Sequence, residues 1–197
     1  MARQLDLFVP GVVFLDVIFT GLHELPVPGT EVRASGMGSC PGGVANLAVA
    51  ASRLGLHTGL GTALSSDAYG EFCHRVLSHQ EGIDMSASRR VDDWHSPVTV
   101  SLAYNRDRSM ITHGHPLPAA ADGLVNGLPA ARAAAVSLAP EGMDWVRRAR
   151  SAGTRVFADV GWDETDQWSG DVLDVLADCH AFLPNAIEAT RYTRTDD

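Results

Sequence analysis

The chain has 197 residues, 45% of them hydrophobic, and a formal net charge of −9. This length and composition predict a single globular domain with a real core, and the acidic balance without a basic tail argues against nucleic acid as the main partner. All 15 basic residues are arginine, and the absence of lysine excludes a Walker A loop, a protein-kinase site and a pyridoxal Schiff base.

The three cysteines lie far apart and form no CxxC pair: Cys40, Cys73 and Cys179. They are predicted to be reduced thiols, which is typical of cytosolic proteins. No apolar run approaches the length of a membrane span, and the N-terminal residues lack the apolar core of a signal peptide. We therefore expect a cytoplasmic protein without a membrane partner.

Residues 5–15 form an apolar run that predicts a buried strand, with a kink at Pro10 and Gly11. Asp16 follows directly, and a carboxylate at the carboxyl end of a central strand is where open α/β sheets place ligand contacts. A turn-forming aspartate is an equally good interpretation. Residues 17–20 and 30–35 predict two short strands that could form a flap outside the main sheet.

Residues 36–55 read as a glycine-rich loop that runs into a small-residue helix. Gly42 and Gly43 precede this helix, where a missing Cβ lets the backbone approach a ligand. Asn46 lies in the first turn, beside N–H groups that have no intrahelical partner. An ordinary joint between loop and helix is an equally good interpretation, although glycine-rich helix entries recur as binding sites. Residues at helical spacing predict the buried face of the helix: Leu47, Ala50, Ala51 and Leu54.

Further along, residues 57–64 predict a strand, and residues 68–79 predict a helix with N-cap oxygens just before it. Residues 97–113 predict a β-hairpin with a polar turn over 105–108, which could join the flap. His113 and His115 have a spacing that can hold a metal. Because no third ligand is near in the sequence, a pair of loop histidines is the favoured interpretation.

From residue 119 the pattern becomes a β/α alternation. The predicted strands are 133–138, 154–158 and 179–183, and the predicted helices are 121–128, 140–152, 167–177 and one that begins at Asn185. Strands separated by helices of this length predict a doubly wound, mainly parallel sheet flanked by helices, which is an α/β fold.

Three polar positions stand out in this half. Asp159 follows a strand, at the edge where such sheets bind ligands. Asn185 and Glu188 are three residues apart at a helix start and therefore face the same side. A capping box made by the same two residues is an equally good interpretation. The acidic cluster of Asp163, Glu164 and Asp166 is predicted to be a solvated loop.

The order and spacing of these motifs resemble the N-terminal signature of the ribokinase-like family, also called the PfkB carbohydrate kinases. The motifs that carry the resemblance are Gly11-Val-Val-Phe-Leu-Asp16, Pro28-Gly29-Thr-Glu, Pro41-Gly42-Gly43-Val-Ala-Asn46, Ala50-Ala51-Ser-Arg-Leu-Gly55 and Ser66-Asp67-Ala-Tyr-Gly70. Asp159 and the Asn185/Glu188 pair fall where such kinases keep a polar strand end and an N-x-x-E motif. The resemblance covers residues 5 to 190.

This resemblance implies ATP-dependent phosphorylation, with Mg²⁺, of a hydroxymethyl group on a sugar or nucleoside. The residues implied to hold substrate hydroxyls are Asp16, Gly42, Gly43 and Asn46. Those implied to organise Mg²⁺ and phosphate are Asn185, Glu188 and Asp159, without a direct metal ligand. Segments 17–37 and 97–114 would form a small β lid over the sugar, which excludes water from phosphoryl transfer. In many relatives the lid also makes a dimer contact, so a homodimer through the lid is expected.

The sequence departs from the family in one respect. The second family signature, a Gly-Ala-Gly-Asp-type segment, supplies an anion hole and the catalytic base, and the sequence contains no such segment. The expectation is a C-terminally truncated single domain without a catalytic base, inactive alone. A non-catalytic sugar- or nucleoside-binding module is the alternative. A nicotinamide-dependent Rossmann enzyme fits poorly, because Pro41 stands where the third glycine of that fingerprint should fall.

Overall fold

A computed structural model describes residues 4–118, 123, 127–139, 143–163 and 165–195. Its strands are β1 (Leu5–Pro10), β2 (Val13–Thr20), β3 (Gly36–Gly43), β4 (Thr58–Gly61), β5 (Ala63–Ser65), β6 (Arg89–Val91), β7 (Val98–Tyr104), β8 (Asp107–His113), β9 (Ala131–Leu138), β10 (Arg155–Val160) and β11 (Ala181–Phe182). Its helices are α1 (Ala45–Arg53), α2 (Ala68–Arg75), α3 (Asp144–Ser151) and α4 (Ala186–Thr193), with a π-helix at Val76–Gln80 and a 3-10 helix at Gly170–Asp178.

The main sheet has five parallel strands in the order β11-β10-β9-β1-β4. Strand β1, between β9 and the edge strand β4, is buried on both faces, as expected for a parallel sheet. Phe8 packs with Trp145 of α3 on one face, with ring centroids 6.5 Å apart. Val9 packs with Ala48 of α1 and Leu60 of β4 on the other. Helices thus cover both faces, and the predicted α/β doubly wound fold is confirmed.

A second, mixed sheet has the order β3-β2-β7-β8, and we call it the lid sheet. Strand β2 pairs antiparallel with β3 and parallel with β7, which forms a hairpin with β8. The hairpin turns at Asn105 and Arg106, both with positive φ (51° and 64°). The two segments expected to form a lid thus meet in one four-stranded sheet, and its closure over a substrate stays a prediction. A shorter pair, β5 with β6, was not predicted.

The predicted single strand over residues 5–15 is wrong, although its predicted kink is real. The chain leaves the main sheet after Pro10 and enters the lid sheet at Val13. Proline lacks the N–H for continued pairing, and Gly11 has a φ of 153° that turns the backbone. Asp16 consequently lies in the middle of β2 and not at the carboxyl end of a main-sheet strand.

The glycine-rich segment is a strand, not the predicted loop, and the predicted strand over residues 30–35 is irregular. Gly36 to Gly43 pair one for one with Thr20 to Val13. Long-range pairing with β2 thus outweighs the weak strand propensity of glycine, which depends strongly on context.

Other boundaries shift in smaller ways. The predicted strand over 57–64 is divided between β4 and β5, and the predicted helix over 68–79 is α2 followed by the π-helix. The predicted helix over 167–177 is the 3-10 helix, while the described part of 140–152 is helical as α3. Most of the predicted helix over 121–128 lies outside the described residues.

Helix α1 buries a face that shares only Ala51 with the predicted one. Ala45, Ala48 and Ala51 are buried, whereas Leu47 and Leu54 are 48% and 83% exposed. The small alanines let the helix axis lie close to β1 and β4, and the leucines then point to solvent. Within the described residues, no helix is long and apolar enough to cross a membrane.

Candidate substrate-binding site

A row of polar side chains crosses one face of the lid sheet. Cross-strand pairing places Asp16 directly between Cys40 of β3 and Thr99 of β7. Thr99 in turn pairs with Thr112 of β8, and their hydroxyl oxygens are 3.1 Å apart. Directly paired residues share a face of a sheet. We call Cys40, Asp16, Thr99 and Thr112 the polar row.

Gly42 leaves room for the carboxylate of Asp16 because it has no Cβ. A Cβ built on Gly42 would lie 1.9 Å from Asp16 Oδ2, so any other residue there would displace the carboxylate. Gly43 has a φ of 63°, and its Cβ would lie 2.5 Å from the carbonyl oxygen of Val12. Both glycines are thus required by contacts within the protein, which is a stronger reason than the close approach of a ligand assumed from the sequence.

Helix α1 starts directly after this contact. Val44 is its N-cap, and no side chain in the described structure caps it by a hydrogen bond. Asn46 is the second helical residue and is exposed. The first N–H groups of a helix lack intrahelical partners and carry the positive end of its dipole. Asp16 contacts Gly42, and Asn46 follows Gly42 closely along the chain, in the first turn of α1.

The surroundings of Asp16 favour its neutral form. Burial raises the pKa of the Asp16 carboxyl, and the guanidinium of Arg108 partly opposes this. Burial and then the Asp16 charge raise the pKa of the Cys40 thiol. Burial, with the same charge, raises the pKa of the Cys73 thiol to about 12, and this thiol lies 3.7 Å from the carbonyl oxygen of Phe14. Hydrogen bonds from donors such as hydroxyl groups would stabilise the charged form of a carboxylate in such a position.

Several of these neighbours were not identified from the sequence. Arg108 was assigned to a turn and lies in β8, while Cys40 was treated only as a reduced thiol. The alternation over β7 predicts a strand, but the parallel pairing that brings Thr99 beside Asp16 joins residues more than 80 positions apart. Such register is set by tertiary packing and leaves no local signal.

Asp159 lies near the carboxyl end of β10, as predicted. Its side chain is exposed, and its Oδ1 accepts a hydrogen bond from the N–H of Val160 at 2.9 Å. It pairs with Ser137 of β9, which adjoins β1 in the sheet. The polar strand end is therefore real, and its assigned role stays a prediction.

Asn185 and Glu188 form a capping box at the start of α4. The N–H of Glu188 donates to Asn185 Oδ1 at 3.0 Å, and the N–H of Asn185 donates to Glu188 Oε2 at 2.8 Å. The structural alternative is thus observed, while a role with Mg²⁺ or phosphate stays a prediction. The pair follows β11, which is three strands from β1, or roughly 14 Å. One group of predicted site residues is thus carried by the lid sheet and α1, and the other by β10 and α4.

The acidic cluster is more structured than predicted. Asp163 Oδ2 accepts from the N–H of Trp168 at 2.6 Å, and Asp163 Oδ1 accepts from Thr165. Hydrogen bonds, first from the Thr165 side chain, hold the pKa of Asp163 below its usual range. Asp166 Oδ1 accepts from the Trp168 indole at 2.7 Å. These bonds order the loop after β10; Glu164 lies outside the described residues.

The histidine pair lies at the base of the lid hairpin. The ring centroids of His113 and His115 are 5.2 Å apart, and those of His115 and His95 are 5.5 Å apart. In the part of the chain that the structure describes, no group of three or more histidine, cysteine or acidic side chains could hold a metal.

Comparison with known proteins gives matches in both sequence and structure. The profile of the family described as "pfkB family carbohydrate kinase" matches residues 11–197. A nucleoside kinase of Methanothermobacter thermautotrophicus is 33% identical over 114 residues, which cover 57% of this chain and 36% of that protein. The fraction of this relative that is matched is small.

Solved structures have the same fold at low sequence identity. Arabidopsis thaliana ribokinase, complexed with ribose and ATP, matches with a TM-score of 0.73 at 21% identity over 99% of this chain and 65% of that one. A Methanocaldococcus jannaschii nucleoside kinase matches with a TM-score of 0.74 at 18% identity, over 98% and 65%. Halothermothrix orenii fructokinase matches with a TM-score of 0.76 at 21% identity, over 98% and 72%. The chain thus spans just under two thirds of the length of the first two.

Proposed function

Because the chain belongs to the pfkB family of carbohydrate kinases, we propose that it carries the substrate-binding half of a kinase that uses ATP to phosphorylate a hydroxymethyl group of a sugar or nucleoside. The observation that carries this proposal is the Asp16 carboxylate, which lies against Gly42 beside the uncapped start of α1. The sequence match to a nucleoside kinase supports the substrate range. The family match gives no support to a module unrelated to catalysis.

Asp16 would bind the substrate through adjacent hydroxyl groups. Its two carboxylate oxygens can each accept a hydrogen bond, and donors bonded to them offset the desolvation that raises its pKa. The amide of Asn46 and the first N–H groups of α1 would bind further oxygens from the helix side. Contacts from two directions fix the ring and so orient its hydroxymethyl group.

The lid sheet would exclude water from that group. The polar row faces the substrate in this proposal. The opposite face of the lid sheet carries apolar side chains. These include Phe19, Met37, Leu102 and Ile111, and the exposed fractions of Met37 and Ile111 are 68% and 67%. Exposed apolar faces of this kind often form protein interfaces.

We accordingly place a homodimer contact on this apolar lid face. Light scattering should give a dimer for the wild-type chain and a monomer for Ile111→Glu, because the new charge would have to be buried in the contact. Asp107→Glu, a conservative change in the same strand, is the control. A monomeric wild-type chain would refute this contact.

We infer that the described residues do not complete a site for ATP and Mg²⁺. The sequence has no lysine, and the described residues contain no cluster of three or more histidine, cysteine or acidic side chains that could hold a metal. Asn185 and Glu188 bond one another in the capping box. We propose that the anion hole and base lie outside this chain, which alone binds substrate without turnover.

Calorimetry with ribose, fructose and adenosine tests the proposal. We expect binding of at least one ligand, a loss of about 100-fold on Asp16→Asn, and no loss on Asp174→Asn, an exposed aspartate of the 3-10 helix. With ATP and Mg²⁺ present, no phosphorylated product should form. Product formation would contradict the proposal that the anion hole and the base lie outside this chain. A folded chain that binds none of the three ligands would contradict the site at Asp16.

A further inference from the structure

A cavity of about 490 Å³ opens at the carboxyl ends of β9 and β10, outside the site built on Asp16. Its volume lies within the range of small-molecule sites. The lining residues used below are Ser137, Trp162, Gln167, Asp171 and Tyr192. They come from the end of β9, the loop after β10, the 3-10 helix and α4.

Trp162 is the most exposed aromatic side chain of this cavity, with 65% of its surface accessible. Its ring meets Trp168 at 88° with centroids 5.4 Å apart, and Trp168 meets Tyr192 at 85° and 5.3 Å. Trp168 is only 1% exposed, and Asp166 and Asp163 accept hydrogen bonds from its indole and backbone N–H. A fixed, buried ring therefore supports Trp162, which keeps most of its own surface open.

Polar side chains of three kinds accompany this ring. Ser137 offers a hydroxyl, Gln167 an amide and Asp171 a carboxylate, and all three are exposed. An aromatic surface with donors and acceptors at its rim is the chemistry that recognises nucleobases. The base stacks on the ring and its edge makes hydrogen bonds. A free pentose would use the polar groups but has no planar face to stack.

The cavity lies two strands from the point where the chain leaves the main sheet for β2. Strand β10 is separated from β1 by β9 alone, which is a distance of roughly 10 Å. Strand β1 leads through Gly11 into β2, which carries Asp16. The cavity lies at the carboxyl edge of the main sheet, where parallel α/β sheets bind ligands, and the chain enters β2 from this same edge after β1 ends. One molecule made of a sugar and an attached base could therefore occupy both the cavity and the site at Asp16.

We propose that this cavity is the base subsite for a nucleoside substrate, with Trp162 as its stacking surface. The inference rests on the proposed function and narrows the substrate class to nucleosides. Trp162 then determines specificity, because it contacts the base and leaves the sugar contacts unchanged.

Calorimetric binding of adenosine, uridine and free ribose to the full 197-residue chain tests the inference. Adenosine should bind at least tenfold more tightly than ribose. Trp162→Ala should weaken adenosine binding about tenfold, while ribose binding changes less than twofold, since stacking on an aromatic ring acts on the base alone. Trp162→Phe should retain most of the affinity. Trp94→Phe is the matched control, because Trp94 is absent from the cavity lining and its indole donates to the Pro116 carbonyl at 3.1 Å.

Tryptophan fluorescence gives a second measurement. Adenosine should quench the emission of the wild type and of Trp94→Phe, and it should quench Trp162→Phe less. If ribose binds in an Asp16-dependent way but adenosine binds no more tightly, or if Trp162→Ala weakens both ligands alike, the base subsite is wrong and the proposed function stands. If no ligand binds to the folded wild type, both are wrong.

Discussion

Two carboxylates in the N-terminal half, Asp16 of the lid and Asp67 at the start of α2, show opposite physical behaviour. Burial raises the pKa of Asp16, and only the charge of Arg108 opposes this. Burial also acts to raise the pKa of Asp67, but hydrogen bonds, first from Ser65, outweigh it and hold the pKa below its usual range. The fold thus stabilises one charge and penalises the other.

The contacts explain the difference. Asp67 is the N-cap of α2, and its Oδ1 accepts from the N–H groups of Tyr69 and Gly70 at 3.0 and 2.8 Å. Its Oδ2 lies 3.0 Å from His95 Nδ1. Asp16 instead lies against the bare backbone of Gly42, beside a thiol. A charge to which the described residues supply few hydrogen-bond donors is a candidate position for a ligand that supplies them.

The most severe test of the lid region is Gly42→Ala. The added Cβ would lie 1.9 Å from Asp16 Oδ2, so the carboxylate must move although no charged group is removed. We expect sugar or nucleoside affinity to fall about 100-fold, which equals the loss of a hydrogen-bonded charge. Titration calorimetry measures it.

Gly38→Ala is the matched control in the same strand. A Cβ on Gly38 meets nothing within 4 Å, so binding should stay within about twofold of the wild type. Equal losses of affinity in the two variants would show that β3 tolerates no added side chain. The contact between Gly42 and Asp16 would then not explain the loss in Gly42→Ala.

The α2 region responds in stability and not in binding. Asp67→Ala removes an N-cap and should lower the free energy of unfolding by about 1–2 kcal/mol at pH 7, with substrate affinity unchanged. Because the folded pKa is lowered, this contribution is present above pH 3.8 and is lost as the pH falls through the folded value. Denaturant unfolding at several pH values measures it.

Asp92→Ala is the control for this measurement. Asp92 is exposed and accepts a hydrogen bond from the Ser66 hydroxyl at 2.8 Å. Its replacement should change the free energy of unfolding by less than about 0.5 kcal/mol. If the two variants lose the same free energy of unfolding, the hydrogen bonds to Asp67 do not stabilise the fold more than an ordinary surface contact does.

These two regions also show what a sequence can reveal. An N-cap just before residue 68 was predicted because capping is local, and Asp67 occupies it. For the same reason the capping box at Asn185 and Glu188 was one of the two interpretations offered for that pair. The importance of Asp16 was predicted from the resemblance, but its position was wrong by a whole sheet. Whether residues 36–43 form a loop or a strand depends on β2, and nothing within the segment encodes that partner.

The smallest expected effect is a gain in stability on Asp16→Asn, opposite in sign to the loss expected for Asp67→Ala. Since the folded state raises the pKa of Asp16, its charge reduces stability at any pH above 3.8, and the penalty disappears as the carboxyl becomes protonated in both states. Asp16→Asn should therefore raise the free energy of unfolding at pH 7 by a few tenths of a kcal/mol, because solvent screens this half-exposed group. The gain should vanish near pH 3, and it should accompany the loss of ligand binding. A variant destabilised at pH 7 would mean that Asp16, like Asp67, serves the fold and not a ligand.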